Sequence, residues 1–291
     1  YGYHVLQADE TPVLVNKDGR PAGSKSYMWV YRTGRMYTER QIVLYEYQKT
    51  RNASHPREFL KEFSGVCVTD GYPVYHTMEG EREDLQIAGC WSHARRRFDE
   101  AVKALPKQKQ KNSRAYLALT MIQAIYREEK QLKDLPAEER KNRRRLSVKP
   151  LVEAYFTWVR ENLPKVPQKS KTWEGFHYSL NQEKYLKVFL EDGEVPMDNN
   201  AAEQSIRGFC IGKKNWVMID TIAGAKSSAI IYSIAETAKA NNLKPYDYFE
   251  HLLTEIPKHL DDPDRSFLDD LLPWSPSLPA NCRKPDKSEV K

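Results

Sequence analysis

The pattern that most restricts the fold of this chain is a change of period partway along it. Residues 4–15 alternate apolar and polar side chains as a strand does, and shorter stretches at 27–31, 42–47, 66–69 and 85–90 are rich in the same β-branched and aromatic types. Between about residues 105 and 195 the alternation stops. Apolar residues there recur at helical spacing: Leu117, Met121, Ala124 and Ile125, then Leu151, Tyr155 and Trp158, then Trp173, Phe176 and Leu180. A strand-rich segment interrupted by a block of helices predicts an α/β mixed sheet with flanking helices and an all-α insertion.

The local signals fill in this outline. Asn16-Lys17-Asp18-Gly19 supplies a tight turn, so the first fifty residues read as an antiparallel meander. Ser54 and Pro56 open a helix with Phe59, Leu60 and Phe63 on its core face, and Ser92 is a candidate cap for the next, Ser92-His93-Ala94-Arg95-Arg96-Arg97-Phe98. Pro164 and Pro167 break the insertion's helical pattern, and Asp198 or Asn199 would cap a helix that carries Glu203. Gly212-Lys213-Lys214-Asn215-Trp216 reads as a turn into a short extended piece, followed by helices over 229–240 and 246–256. The expected division is 1–104 for the first part of the α/β core, 105–196 for the insertion, 197–257 for the rest of the core and 258–291 for a Pro-rich tail.

With 291 residues and 40% hydrophobic content, the chain can build one large core or a core with an insertion. Its formal charge of +6 gives mild support to a polyanionic partner. Cys67, Cys90, Cys210 and Cys282 show no paired short spacing, which argues against a disulfide framework or zinc knuckle and for reduced thiols. No apolar run is long enough to span a bilayer and no secretory leader opens the chain, so a cytoplasmic location is expected. The first residue is Tyr1 and not Met, which suggests that an upstream segment has been removed.

Three acids stand at the ends of such elements: Asp9 in a strand, Asp70 after one, Glu203 in the first turns of a helix. Three carboxylates brought together can hold two divalent cations side by side, the arrangement that serves phosphoryl transfer. Asp9 and Glu10 are neighbours in a strand and face opposite ways, so only one of them can join such a site.

The motifs carrying these acids resemble those of the DDE transposases of the insertion sequence 66 family. The resemblance rests on Ala8-Asp9-Glu10-Thr11-Pro12, Asp70-Gly71-Tyr72, Cys90-Trp91-Ser92-His93-Ala94-Arg95-Arg96, Asp198-Asn199-Asn200-Ala201-Ala202-Glu203 and Gly212-Lys213-Lys214-Asn215-Trp216. Tyr232-Ser233, Glu236-Thr237-Ala238-Lys239 and Leu271-Leu272-Pro273-Trp274 extend it nearly to the end. It implies a ribonuclease H-like catalytic domain with Asp9, Asp70 and Glu203 as catalytic and metal-binding residues. It also implies two Mg²⁺ ions, with Mn²⁺ able to substitute. The activity implied is hydrolysis of a phosphodiester at a transposon end, followed by attack of the freed 3′-hydroxyl on target DNA. Its partners would be DNA ends and target, further copies of the chain in the active complex, and accessory transposition proteins. Full-length members carry coiled-coil, zinc-binding and DNA-binding segments upstream of this part.

Other residues have two readings each. Cys90 and His93 form half of a metal site or simply pack, and His93 could instead orient a catalytic carboxylate or touch phosphate. Arg95, Arg96 and Arg97 cannot all face one way, so only some can meet DNA. Arg207 pairs with Glu203 or holds the scissile phosphate; Lys213 and Lys214 beside Trp216 grip phosphate and stack on a base, unless Trp216 belongs to the core. The run Lys141-Asn142-Arg143-Arg144-Arg145 is a DNA contact or a solvated face. Two rival functions remain: a catalytically silent DNA-binding remnant or regulatory product, and a metal-free hydrolase using a carboxylate pair on a sugar.

Overall fold

The computed structural model describes residues 2–285. In chain order it contains β1 (Val5–Lys17), β2 (Lys25–Thr33), β3 (Val43–Gln48), α1 (Ser54–Leu60), β4 (Gly65–Val68), α2 (Pro73–Glu81), β5 (Leu85–Ala88) and α3 (Trp91–Lys103). Helices then follow one another: α4 (Lys107–Gln110), α5 (Arg114–Gln131), α6 (Ala137–Arg143), a π-helical turn (Arg144–Val148), α7 (Lys149–Asn162), α8 (Lys171–Asn181) and α9 (Glu183–Leu186). The chain closes with α10 (Asn200–Trp216), β6 (Ile219–Thr221), α11 (Ile222–Ala240) and α12 (Pro245–Glu255). This is a mixed α/β protein with a mixed sheet, and among the described residues no strand lies between α3 and α10. No helix among them is long and apolar enough to cross a membrane.

The chain divides into two compact units: residues 2–8, 34–36 and 52–203, and residues 9–33, 37–51 and 204–285. In the first unit the opening of β1 pairs in parallel with β4, Val5 opposite Val66 and Gln7 opposite Val68, and β4 pairs in parallel with β5. Parallel strands are covered on both faces, which is why β4 and β5 are written as short apolar runs: Val66, Cys67, Val68, Leu85, Ile87 and Ala88 are all buried. A helical core built on α3, α5, α7 and α8 accompanies them. Trp91 packs on Tyr155, Phe156 and Phe189, while Phe98 packs on Phe176 with ring centroids 5.6 Å apart. Gly175 makes that second contact possible, since a Cβ there would lie 2.7 Å from the Phe98 ring.

The buried stripe of α5 is Ala115, Ala118, Leu119, Ile122 and Ile125, so Leu117, expected inside, is 48% exposed. The small alanines at Ala115 and Ala118 set the face that meets its neighbours, and a reading keyed to the larger Leu117 is rotated from it. Ser92 does not cap α3: the helix starts at Trp91, and the residue before it, Cys90, provides no side-chain cap.

In the second unit β2 and β3 form an antiparallel ladder from Tyr27 opposite Gln48 to Arg32 opposite Val43, and the far end of β1 pairs in parallel with β6. β3 stands at the end of the strand order, where a bare edge would invite pairing with another chain. Helix α11 satisfies it with hydroxyls. Thr237 Oγ1 accepts from Val43 N at 3.0 Å and donates to Val43 O at 2.9 Å, and Ser233 Oγ accepts from Tyr45 N at 2.7 Å. Ala238, Leu243, Tyr248, Leu252, Leu271 and Leu278 make a further core cluster of α11, α12 and the segment after them.

The segment expected to turn at Gly212 remains helical, for α10 runs to Trp216 and stops where Val217 takes a positive φ of 62°. Glycine weakens a helix without ending it. Here Gly212 packs closely beneath Tyr232 and Trp216, where a side chain would collide, so packing holds the helix.

Candidate functional site

The first unit brings Asp70, Cys90, His93 and Glu203 together from three elements. Strand β4 delivers Asp70: Thr69 N still bonds to Ala88 O at 3.0 Å, and the backbone then turns at Gly71 with φ +89°. Asp70 Oδ1 accepts from Tyr72 N at 2.9 Å, and its carbonyl accepts from the Tyr178 hydroxyl of α8 at 3.2 Å. Besides its backbone angle, Gly71 is fixed by space, because a Cβ would come within 3.0 Å of Gln182 Oε1 and 3.3 Å of the Tyr178 hydroxyl. Helix α8 and Gln182 just after it therefore buttress the turn that carries Asp70.

Glu203 lies in the first turn of α10, and the residues ahead of it explain how that helix is anchored. Asn199 is fully buried; its Nδ2 donates to Ala8 O at 2.7 Å, its Oδ1 accepts from Gln7 Nε2 at 3.2 Å, and its backbone N–H donates to Cys90 Sγ at 3.2 Å. Both polar atoms of that side chain bond to β1. Asp198 does accept at the helix mouth, from Asn200 N at 3.1 Å, and also takes the Tyr126 hydroxyl at 3.2 Å. Burial first, and the Asp198 charge second, push the Tyr126 hydroxyl pKa upward, so it remains a donor.

His93, on the first turn of α3, faces Glu203 with Nδ1 and Oε1 3.5 Å apart. Both atoms are buried, and neither makes a hydrogen bond. The ligand atoms of Cys90, His93 and Glu203 all lie within 4.8 Å of one another. Burial lowers the His93 pKa; Glu203 and Asp70 oppose that shift, while Arg96 and Arg97 reinforce it. The imidazole is therefore held neutral near pH 7, with a lone pair available. Burial also raises the Cys90 pKa, and its sulfur already accepts the Asn199 N–H, so this residue acts as an uncharged wall.

Arg95, Arg96 and Arg97 are all exposed on α3; Arg95 lies over the Tyr126 ring at 5.8 Å and Arg97 over the Tyr178 ring at 4.3 Å. Those aromatic contacts hold two of the three cations at the surface near the residues that support Asp198 and Asp70.

Asp9, Arg207, Lys213, Lys214 and Trp216 belong to the second unit. Asp9 is half-buried in β1 and its Oδ1 accepts from Glu10 N at 2.9 Å. Glu10 is claimed by an ion pair with Arg51, its side chain only 2% exposed, which leaves Asp9 as the candidate of the two. Arg207 and Lys214 are exposed on α10, whereas Lys213 Nζ is tied to Pro12 O at 2.7 Å. Trp216 packs edge-on against Phe209, with centroids 5.4 Å apart.

Sequence reasoning did not give roles to Gln7, Tyr126 or Tyr178. Gln7 is a fully buried amide in a parallel strand, and such a residue needs partners inside; that was the available signal. Nothing in the sequence around Tyr178 marks it as a support for Asp70.

The family model described as Transposase IS66 family matches residues 2–227, and a second, IS66 C-terminal element, matches residues 233–274. An uncharacterized protein, y4qI, of Sinorhizobium fredii is 30% identical over 277 residues, 92% of this chain and 50% of that protein. Uncharacterized protein y4jD of the same organism is 26% identical over 238 residues, 80% of this chain and 45% of its own length. The chain thus spans about half the length of the curated relatives it matches.

Proposed function

This chain belongs to the Transposase IS66 family, and we propose that it is the catalytic part of a DNA transposase with a ribonuclease H-like core. It cuts a phosphodiester at a transposon end and transfers the 3′-hydroxyl strand to target DNA. The observation that carries the reading is the convergence of Glu203 on His93 within range of the Asp70 charge, at residues spanned by the family match. The parallel order β1-β4-β5 and the antiparallel β2-β3 ladder support a ribonuclease H-like sheet.

Asp9, Asp70 and Glu203 are the proposed metal-binding acids, Asp9 on its motif and on the prior claim of Arg51 to Glu10. The donor set fits divalent cations, because the buried Glu203 Oε1 has no hydrogen-bond donor and carboxylate oxygens suit Mg²⁺ or Mn²⁺. Bound there, such ions would lower the pKa of a water and neutralise charge developing on the phosphate. The protein's own groups position the DNA. Exposed Arg95, Arg96 and Arg97 on α3, with Arg207 and Lys214 on α10, offer cations to a phosphate backbone. Tyr178 and Asn199 keep the Asp70 turn and the Glu203 helix in place. DNA ends, target DNA and further copies of the chain are the partners this activity requires.

The test is nicking and strand transfer on a labelled duplex with Mg²⁺ or Mn²⁺, with Glu203→Gln as control. Activity that needs both the metal and Glu203 is expected. Metal-independent DNA binding without cleavage would make the protein a binding remnant instead.

A further inference from the structure

His93 has a donor atom with no use in the fold. Its Nδ1 is buried, makes no hydrogen bond, and faces the equally unsatisfied Glu203 Oε1 across 3.5 Å. That gap is wider than an N–H···O bond, which falls at about 2.7–3.2 Å. It does leave both atoms within reach of one cation, since two bonds of about 2.1 Å can span up to about 4.2 Å. Leaving two buried polar atoms unpaired is unfavourable, a cost that a shared cation would remove.

We propose that His93 Nδ1 is a ligand to the same divalent cation as Glu203, so that the site holds a mixed nitrogen and oxygen donor set and favours Mn²⁺ and Co²⁺ over Mg²⁺. The proposal rests on the transposase reading only in taking Glu203 as a metal ligand. Imidazole nitrogen binds first-row transition ions in the order Mn²⁺ below Co²⁺ and has little affinity for Mg²⁺, whereas an all-carboxylate site accepts Mg²⁺ readily. A neutral imidazole adds a ligand without adding charge, so His93 alters which ion is preferred more than how strongly cations are attracted overall. Cys90 closes that side of the site with a thiol already engaged by Asn199.

The experiment is calorimetric titration of the protein with Mg²⁺, Mn²⁺ and Co²⁺ separately, comparing wild type, His93→Ala, His93→Gln and Glu203→Gln, with a thermal melt of each to establish folding. Wild type is expected to bind Co²⁺ tighter than Mn²⁺ and Mn²⁺ tighter than Mg²⁺. Both His93 variants should lose about 10–100-fold in Co²⁺ and Mn²⁺ affinity and much less for Mg²⁺, flattening the order. A uniform loss for all three ions would show that His93 only positions Glu203, and unchanged affinities would show that it does nothing at the metal; either overturns the proposal. If Glu203→Gln abolishes binding while His93→Ala leaves Co²⁺ affinity intact, the His93 assignment falls and the catalytic reading stands. If neither substitution changes any ion, the role given to Glu203 falls as well.

Discussion

Two buried polar clusters in the first unit differ in how completely they are satisfied. At the π-helical turn, Arg144 is fully buried, pairs with Glu129, lies over the Phe189 ring, and donates to the carbonyls of Phe189, Asp192 and Val195 at 2.6, 2.7 and 3.0 Å. Arg140 nearby gives its protons to Leu132, Lys133, Leu135 and Gly193 carbonyls. At His93 and Glu203, by contrast, two buried atoms face each other without a hydrogen bond. A saturated cluster serves the fold, because each donor already has its acceptor. An unsaturated one costs stability and is kept where something outside the chain completes it.

Substitution should separate the two clusters by what it damages. The largest effect expected is on activity: Glu203→Gln or Asp70→Asn lowers DNA nicking by at least about 10²–10³-fold, the scale of removing one group that stabilises transition-state charge. Thermal melting of the same proteins should be nearly unchanged. Nicking at wild-type rate by either variant would remove that acid from the site.

Next comes Arg144→Met, expected to cost about 3–5 kcal/mol in urea denaturation because it strands Glu129, whose side chain is only 12% exposed, without its counter-charge. Adding Glu129→Met should recover part of the loss. A melting curve unchanged by Arg144→Met would collapse the contrast drawn above.

Tyr178→Phe removes one hydroxyl donated to the Asp70 carbonyl and should cost about 1 kcal/mol by the same measurement. The smallest effect belongs to the surface. Lys214→Ala should weaken DNA binding similarly across sequences and shallow its salt dependence by about one ion, and identical affinity at low salt would refute a phosphate contact.

The same contrast shows how much could be read from sequence. Lys141-Asn142-Arg143-Arg144-Arg145 looks like a solvated face or a DNA contact, yet it splits: Arg144 turns inward at a π-helical turn while Asn142, Arg143 and Arg145 stay exposed. Which arginine of a run finds carbonyls depends on the backbone of residues 189–195, far away in sequence, so no local pattern announces it. The strands were legible because alternation and β-branching are local, and β1 to β5 fall close to the expected stretches. Gly212 misleads because packing beneath Tyr232 and Trp216 continues the helix, and Leu117 because small alanines mark the buried stripe of α5. Asp70, His93 and Glu203 were each singled out by motif, but their meeting, and the support from Gln7, Asn199 and Tyr178, are tertiary facts.

Asn199 also governs when the site can come into being. Its side chain joins positions 191 and 192 residues apart, at Ala8 and Gln7, so closing that contact carries a chain-entropy cost on the order of 4–5 kcal/mol. During synthesis β1 must wait for nearly two hundred residues before its partner emerges. A translation product that stops short of residue 199 would have β1 to β5 and α1 to α9 but no bond to lock Ala8, and no Glu203. Premature termination should therefore leave fragments in which His93 lacks the carboxylate that faces it.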